Sequence, residues 1–374
     1  MEAQSKNMHL LIIAAAWLAI LANAFSLQAL EWKTYSKNGE PFFRIPAGMK
    51  QGEAIRGAMS GGWDGDNTPS GEAAEADIER TCHKQRIAQF ARRTYHLAHH
   101  TSLSSVTEAA KMCGHPELAH AGIIYGGISA QGRHAMKDCL QFPERTLAVY
   151  PMHIGDSRVE EVPSPGEKFP TCWATGNTDG TSNGPPGNLK RCEELRAEGA
   201  LVTPHNHLAN HNRMGPADYL MLWLEQVMKY RVPQNIPTDG SKYSLLQMRD
   251  EDGWVGTCKC VTVGNGFEYV DKKVWKYSDF PGDPNKTSSW FPNEIAAKAW
   301  LTYDVQKGLQ DYPTAAVYRP VITNTREKTC AAGNWSLYTI TGRKLSYTGH
   351  SNLNATEAAP GLYVLPNRNH LIVK

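Results

Sequence analysis

The sequence predicts an α/β protein, a mostly parallel sheet flanked by helices, followed by a small all-β module at the C-terminal end. Three observations predict it. Apolar strand-like runs alternate with helical runs from about residue 40 to residue 233, the pattern of strand–helix–strand crossovers. One apolar run ends in Gly126-Gly127 immediately before a helical stretch, as a sharp strand-to-helix turn requires. Beyond about residue 315 the chain reads only as short alternating strands with turns.

Taken in order, "PFFRIPAGM" (Pro41 to Met49) alternates as a strand and closes in turn residues. "AIRGAMSGGWDGDNTPSG" is a strand dissolving into a Gly, Asp, Asn and Pro loop. Ala74 to Arg93 has helical periodicity. "SSVTEAAKMCG" is a capped helix, with Ser105 three residues before Glu108 and Gly114 at its stop. "AGIIYGG" is a strand, Ala130 to Gln141 a helix, and "RTLAVYPMH" the next strand. "PTCWATGNTDG" is a strand entering an acidic loop, and "NLKRCEELRAEGA" a helix stopped by glycine. "ALVTPHNH" is a strand entering a loop, and "GPADYLMLWLEQVMKYR" a long amphipathic helix. Residues 240–306, rich in Trp, Gly, Asp and Pro, read as an extension packed on the main domain, with a helix at "NEIAAKAWLTYDVQ".

Composition bounds the function. The 374 residues are 41% hydrophobic and 20% charged, a globular composition with room for one large domain and one small one. A net charge of +2, with the basic residues scattered, excludes a strong field for nucleic acid or an anionic membrane. "LLIIAAAWLAIL" (Leu10 to Leu21), followed by Ala22, Asn23 and Ala24, has the length of a signal h-region and its cleavage site, and is short for a membrane span. A signal peptide over residues 1–24 is expected, hence export and no stable membrane span after its removal. Eight cysteines permit disulfides in that compartment. "CKC" at Cys258 and Cys260 has no second pair at zinc spacing.

The chemistry centres on Ser129 in "YGGISAQG". A serine hydroxyl becomes a nucleophile when a base takes its proton and backbone N–H groups hold the oxyanion. Gly127 stands two residues before it, Ala130 follows with an N–H at the helix start, and Gln131 occupies the place where a second glycine is usual. Downstream, "TCWATGNTDG" provides Asp179 as an acid, with Asp156 in "HIGDSR" as a rival. "HNHLANH" then provides His205, His207 and His211 as candidate bases. Upstream, "MSGGWDGD" can present a second oxyanion N–H from Gly62 or Trp63. Gln131 and Trp290 are expected beside substrate, whereas Trp223 and Trp300, in apolar helical stretches, are expected in the core.

The segment "KMCGHPELAHAGIIYGGISAQGRHAMKDCLQFPERTLAVYPMH" resembles secreted bacterial α/β hydrolases of the dienelactone-hydrolase-like and esterase type. So do "RAEGALV", "HNRMGPADY", "LWLEQVMKYRVP", "DGWVG" and "SSWFPNEIAAKAW". The resemblance covers roughly residues 30–306. It implies an α/β-hydrolase fold with Ser129 as nucleophile, Asp179 as acid and His211 as base, and no metal or cofactor. Gln131 is the departure from the family pattern. The last residues, 315–374, with "LYTITGRKL", "PGLYVL" and "HLIVK", resemble the C-terminal sorting modules of Bacteroidota-type secretion. That resemblance implies engagement of secretion machinery and a secreted or cell-surface location.

The function expected is therefore a serine carboxylic-ester hydrolase acting on acetyl or feruloyl esters of plant polysaccharide, with polyesters as the alternative substrate. A different class is a non-catalytic surface carbohydrate-binding protein on a hydrolase scaffold. A metal-dependent hydrolase on the H-x-H-x₃-H cluster is a third, but that cluster contains no Glu, and it leaves the Ser–Asp–His order without a role. His96, His99 and His100 are read as solvated loop residues, and Glu160 and Glu161 as a solvated pair.

Overall fold

A computed structural model describes residues 30–50, 52–63, 72–91, 102–154, 169–180, 184–211 and 217–309, together with the backbone of four short strands beyond residue 334. The expected signal peptide, Asp156, Glu160, Glu161 and the early histidines lie outside the described residues.

Eight strands form one sheet in the order β1-β2-β4-β3-β5-β6-β7-β8. They are β1 (Trp32–Lys37), β2 (Glu40–Pro46), β3 (Gly57–Trp63), β4 (Ile87–Ala91), β5 (Ile123–Ile128), β6 (Thr146–Met152), β7 (Thr171–Gly176) and β8 (Val202–His207). β1 and β2 run antiparallel at one edge, and β4, β3, β5, β6, β7 and β8 are mutually parallel. Helices α1 (Glu72–Gln85), α2 (Ser102–Cys113), α3 (Ala130–Gln141) and α4 (Pro185–Ala197) lie in the crossovers, and α5 (Asp218–Arg231) follows β8.

The strand sequences dictate two cores, because successive side chains point to opposite faces. Ile124, Tyr150, Cys172 and Ala174 face one core with Ile78 of α1 and Trp223 of α5. Ile123, Tyr125, Val149 and Trp173 face the other with Val106 of α2 and Met136 of α3. Buried on both sides, the central strands read as near-continuous apolar runs.

The expected helix over Ala74 to Arg93 is corrected: it ends at Gln85, and "IAQFA" is β4. Arg86 breaks it with a left-handed φ of 55°, and all five residues of β4 are buried. Strand β1 had no counterpart among the expected elements. Asp77 of α1 accepts the Ala217 N–H at 3.1 Å, fixing the start of α5.

The extension contains more sheet than expected. β9 (Trp254–Val263) pairs antiparallel with both β10 (Gly266–Lys276) and β11 (Ser289–Phe291), and α6 (Glu294–Thr302) follows. It joins the first core through Trp290, Phe291 and Trp300. Arg196 of α4, fully buried, donates to the carbonyls of Ala200 at 2.5 Å and Pro284 at 3.3 Å, tying the extension to the sheet domain. Beyond residue 334, β12 (Trp335–Tyr338) pairs with β13 (Lys344–Tyr347), and β14 (Leu362–Val364) with β15 (Leu371–Val373), each antiparallel.

The disulfide expectation is corrected for the described residues: Cys82, Cys113, Cys139, Cys172, Cys192, Cys258 and Cys260 are free thiols. Their side chains serve packing. Cys82 lies against the Met59 sulfur and Cys139 donates to the Met136 carbonyl. Burial pushes the thiols of Cys82, Cys172 and Cys192 well up, which keeps them protonated and inert.

Candidate active site

Ser129 sits between β5 and α3 with φ 54° and ψ −118°, a conformation that L-residues populate rarely and that clusters at functional sites. Two positions make the turn possible. A Cβ at Gly127 would lie 2.8 Å from the backbone carbon and the Cβ of Gln131, and one at Gly132 would lie 2.7 Å from the Gly127 carbonyl oxygen. The strand and the helix thus cross at bare backbone on both sides. Gln131 is accommodated because Gly127 has no side chain, and Gly132 supplies the second close approach one residue later than usual. A mostly parallel eight-stranded sheet with helices on both faces and a serine at this strained turn is the α/β-hydrolase fold.

The other site residues come from the C-terminal ends of the three neighbouring parallel strands, where α/β sheets bind ligands. His153 follows β6, Asp179 lies three residues past β7, and His211 lies four past β8. The Ser129 N–H donates to the Met152 carbonyl at 2.8 Å, and the His153 N–H to the Ala174 carbonyl at 3.0 Å, which locks the strand ends in register. The turn bearing Asp179 is held to the one bearing His211. Thr178 donates its N–H at 3.1 Å and its hydroxyl at 2.8 Å to the Ala209 carbonyl. Gly176 permits this approach, since a Cβ there would lie 2.6 Å from the Ala209 oxygen.

Asp179 and His211 are brought together. His211 Nδ1 lies 2.8 Å from Asp179 Oδ1. The carboxylate side chain is 3% exposed and the imidazole 38%, so the carboxylate is sequestered while the imidazole keeps an open edge. With Nδ1–H donating, Nε2 carries the lone pair that a general base needs.

Sequence reasoning missed His153. Its Nδ1 lies 2.8 Å from the other carboxylate oxygen, Asp179 Oδ2, and its side chain is fully buried. The Gly176 N–H is 3.3 Å from the same nitrogen. A lone pair there would face the carboxylate at 2.8 Å, so Nδ1 carries the proton and donates it to Asp179. His153 Nε2 then accepts from His207 Nε2 at 3.4 Å. Its backbone is left-handed at φ 54°, and its position at the end of a strand beside the serine strand was the signal available in the sequence.

His205 and His207, candidate bases by sequence, are buried members of β8. Burial, with Lys272 nearby, pushes His205 down to about 3, and burial beside His205 and His153 pushes His207 well down. Both are neutral at physiological pH. Trp290 is corrected. It is fully buried in β11, its indole N–H donating to the Asp250 carbonyl at 3.2 Å. Trp223 and Trp300 are buried in the core as expected.

Ala130 opens α3, where helix N–H groups lack partners within the helix. Gly62 and Trp63 end β3, which runs parallel to β5 with Met59 opposite Ile124. Gln131 is half-buried in the first turn of α3.

No protein-family model matches the chain, and no curated protein sequence matches it. Among solved structures, esterase PE8 is 16% identical with a TM-score of 0.33, over 47% of this chain and 94% of that one. A dienelactone hydrolase from Anabaena variabilis is 15% identical with a TM-score of 0.32, over 54% of this chain and 96% of that one. An α/β hydrolase enzyme from a lagoon-sediment metagenome of Mar Chica, Morocco, is 15% identical with a TM-score of 0.34, over 53% and 98%. At such identities and scores these neighbours add nothing to the fold, which is assigned from the strand order and the turn at Ser129.

Proposed function

We propose that the protein is a serine carboxylic-ester hydrolase working through Ser129, His211 and Asp179. The observation that carries this reading is the His211–Asp179 hydrogen bond of 2.8 Å, at the strand ends next to a serine on a strained turn. Ser129 Oγ attacks the ester carbonyl as His211 Nε2 takes its proton. The N–H of Ala130 and one from Gly62 or Trp63 hold the oxyanion, where preorganised donors contribute most to acyl transfer. His211 returns the proton to the leaving alcohol, and the acyl-enzyme is hydrolysed by a water that His211 deprotonates. Asp179 holds the imidazole tautomer and stabilises its positive charge.

The signal-like N-terminus and the sorting-like residues 315–374 support export to the cell exterior. Acetyl or feruloyl esters of plant polysaccharide fit that location, and polyesters are the alternative. Hydrolysis of p-nitrophenyl acetate by wild type and Ser129→Ala, followed by acetylated and feruloylated xylan, tests the reading. Loss of activity in the variant is expected, and equal rates would sink it. One observation favours a second reading: ligand atoms of His153, Asp179 and His211 lie within 4.8 Å of one another, as in a metal centre. That reading requires activity that survives Ser129→Ala and is lost to a chelator.

A further inference from the structure

Asp179 serves two imidazoles, and only one of them has an open edge. His211 occupies Oδ1 and His153 occupies Oδ2, each at 2.8 Å. Behind His153 the chain continues to His207, 3.4 Å away, whose own ring is edge-on to His205. This row runs from the core to the site across the ends of β6, β7 and β8. The His153 side chain has no solvent exposure, so it cannot itself meet substrate. Nothing about packing alone requires a polar ring there, and the left-handed backbone at 153 costs free energy of the kind retained where function demands it.

The geometry points to His153 as the positioning residue of the catalytic carboxylate. It occupies the second oxygen so that Asp179 can turn only its first towards His211. This rests on the triad reading. A free carboxylate can rotate about its terminal torsion and exchange oxygens between donors. With Oδ2 held by His153 Nδ1–H, the plane of the carboxylate is fixed, and with it the direction of the His211 ring. The ionisable groups facing Asp179 among the described residues are His153 and His211. His207 touches His153 from β8, with His205 behind it and Lys272 of β10 beyond.

The test compares full-length His153→Leu, His153→Asn and Ser129→Ala with wild type, using p-nitrophenyl acetate. Asparagine keeps an N–H at the position of Nδ1 and tolerates a left-handed φ. Leucine fills space without the donor. His153→Leu is expected to lower kcat by about 10- to 100-fold, the worth of a hydrogen bond to a charged group, with KM little changed. His153→Asn should recover most of the rate. If leucine and asparagine lose activity equally, or leucine loses none, the positioning role is overturned. If Ser129→Ala stays active, it is the triad reading that fails.

Should the leucine variant not fold, the wild-type protein still decides. Proton NMR of ¹⁵N-histidine-labelled protein should show two low-field imidazole N–H signals from carboxylate-bound Nδ1, and His153→Asn should remove one. A single signal in wild type would refute the shared carboxylate.

Discussion

Gly127→Ala is the most demanding test of the serine turn. The added methyl would stand 2.8 Å from the Gln131 backbone carbon, 2.8 Å from its Cβ and 3.0 Å from its carbonyl oxygen. Carbon atoms settle about 3.5–4.0 Å apart, so the strand and the helix must separate by roughly 0.7–1.2 Å. Overpacking of this kind costs about 1–3 kcal/mol. The upper end is expected, because β5 lies inside the sheet between β3 and β6 and cannot yield. Ser129 lies between residues 127 and 131, so the separation moves the proposed nucleophile itself. A displacement near 1 Å lowers kcat by about 100-fold. Adding Gln131→Gly removes one of the three close atoms and leaves the two backbone ones. The rescue is therefore partial, a coupling of about 1 kcal/mol. The assay is a urea-unfolding cycle of the four proteins at unchanged m-value, with kcat on p-nitrophenyl acetate alongside. Gly127→Ala within about 0.5 kcal/mol of wild type, or complete rescue by Gln131→Gly, would refute the crossing described here.

Three further outcomes are expected. The Asp77 carboxyl, pushed up to about 6 chiefly by burial, with Arg80 beside it acting the other way, holds its proton more tightly in the folded state than in the unfolded one. Its contribution is therefore full below about pH 4 and is lost as pH rises through about 6, up to about 3 kcal/mol in all. Melting of Asp77→Asn at pH 4 and pH 8 should lack that decline, and an unaltered pH slope would contradict the assignment. Ser129→Gly and Ser129→Ala should both be inactive, but the glycine variant should be the more stable by roughly 1 kcal/mol, because it relieves the φ of 54°; calorimetry finding alanine more stable would remove strain from the account. Trp290→Ala should lose about 3–5 kcal/mol as a buried aromatic does, while Trp290→Phe should leave the ranking of ester substrates untouched, and a changed ranking would return this side chain to the site.

Much of the fold was legible because its central strands are long apolar runs punctuated by glycine. Helix α3 spans Ala130–Gln141 as read from the sequence, and Gly114 ends α2 in a left-handed conformation as its position indicated. Strand β4 was hidden because "IAQFA" continues the apolar spacing of the helix before it, and the break lies in the backbone of Arg86. The β9–β10 hairpin was hidden because its faces are mixed, exposed towards Val263 and buried at Val255. Asp179 and His211 could be found because chain order constrains them. His153 carried only a weaker signal, its place at the end of the strand beside the serine strand, and no chain-order rule assigns a second imidazole to Asp179. Trp290 misled because an indole face suits stacking on a sugar ring, and burial is not written in local composition.

The β9–β10 hairpin also sets where this protein can be divided. The Phe267 N–H donates to the Asn177 carbonyl at 2.8 Å, and the Asn206 side chain donates to the Phe267 carbonyl at 2.8 Å. Asn177 stands two residues before Asp179, so the far end of the extension braces the acid turn. A chain cut at Pro233, where the sheet domain ends by its sequence pattern, would leave those groups unpaired and strip Phe291 and Trp300 from the core. The packed body therefore extends past Pro233 at least through Leu309, which lies in the first core and whose N–H donates to Asp218 at 2.9 Å. Grafts or truncations that respect that border should keep the carboxylate in place, while those made at the apparent domain edge remove its brace.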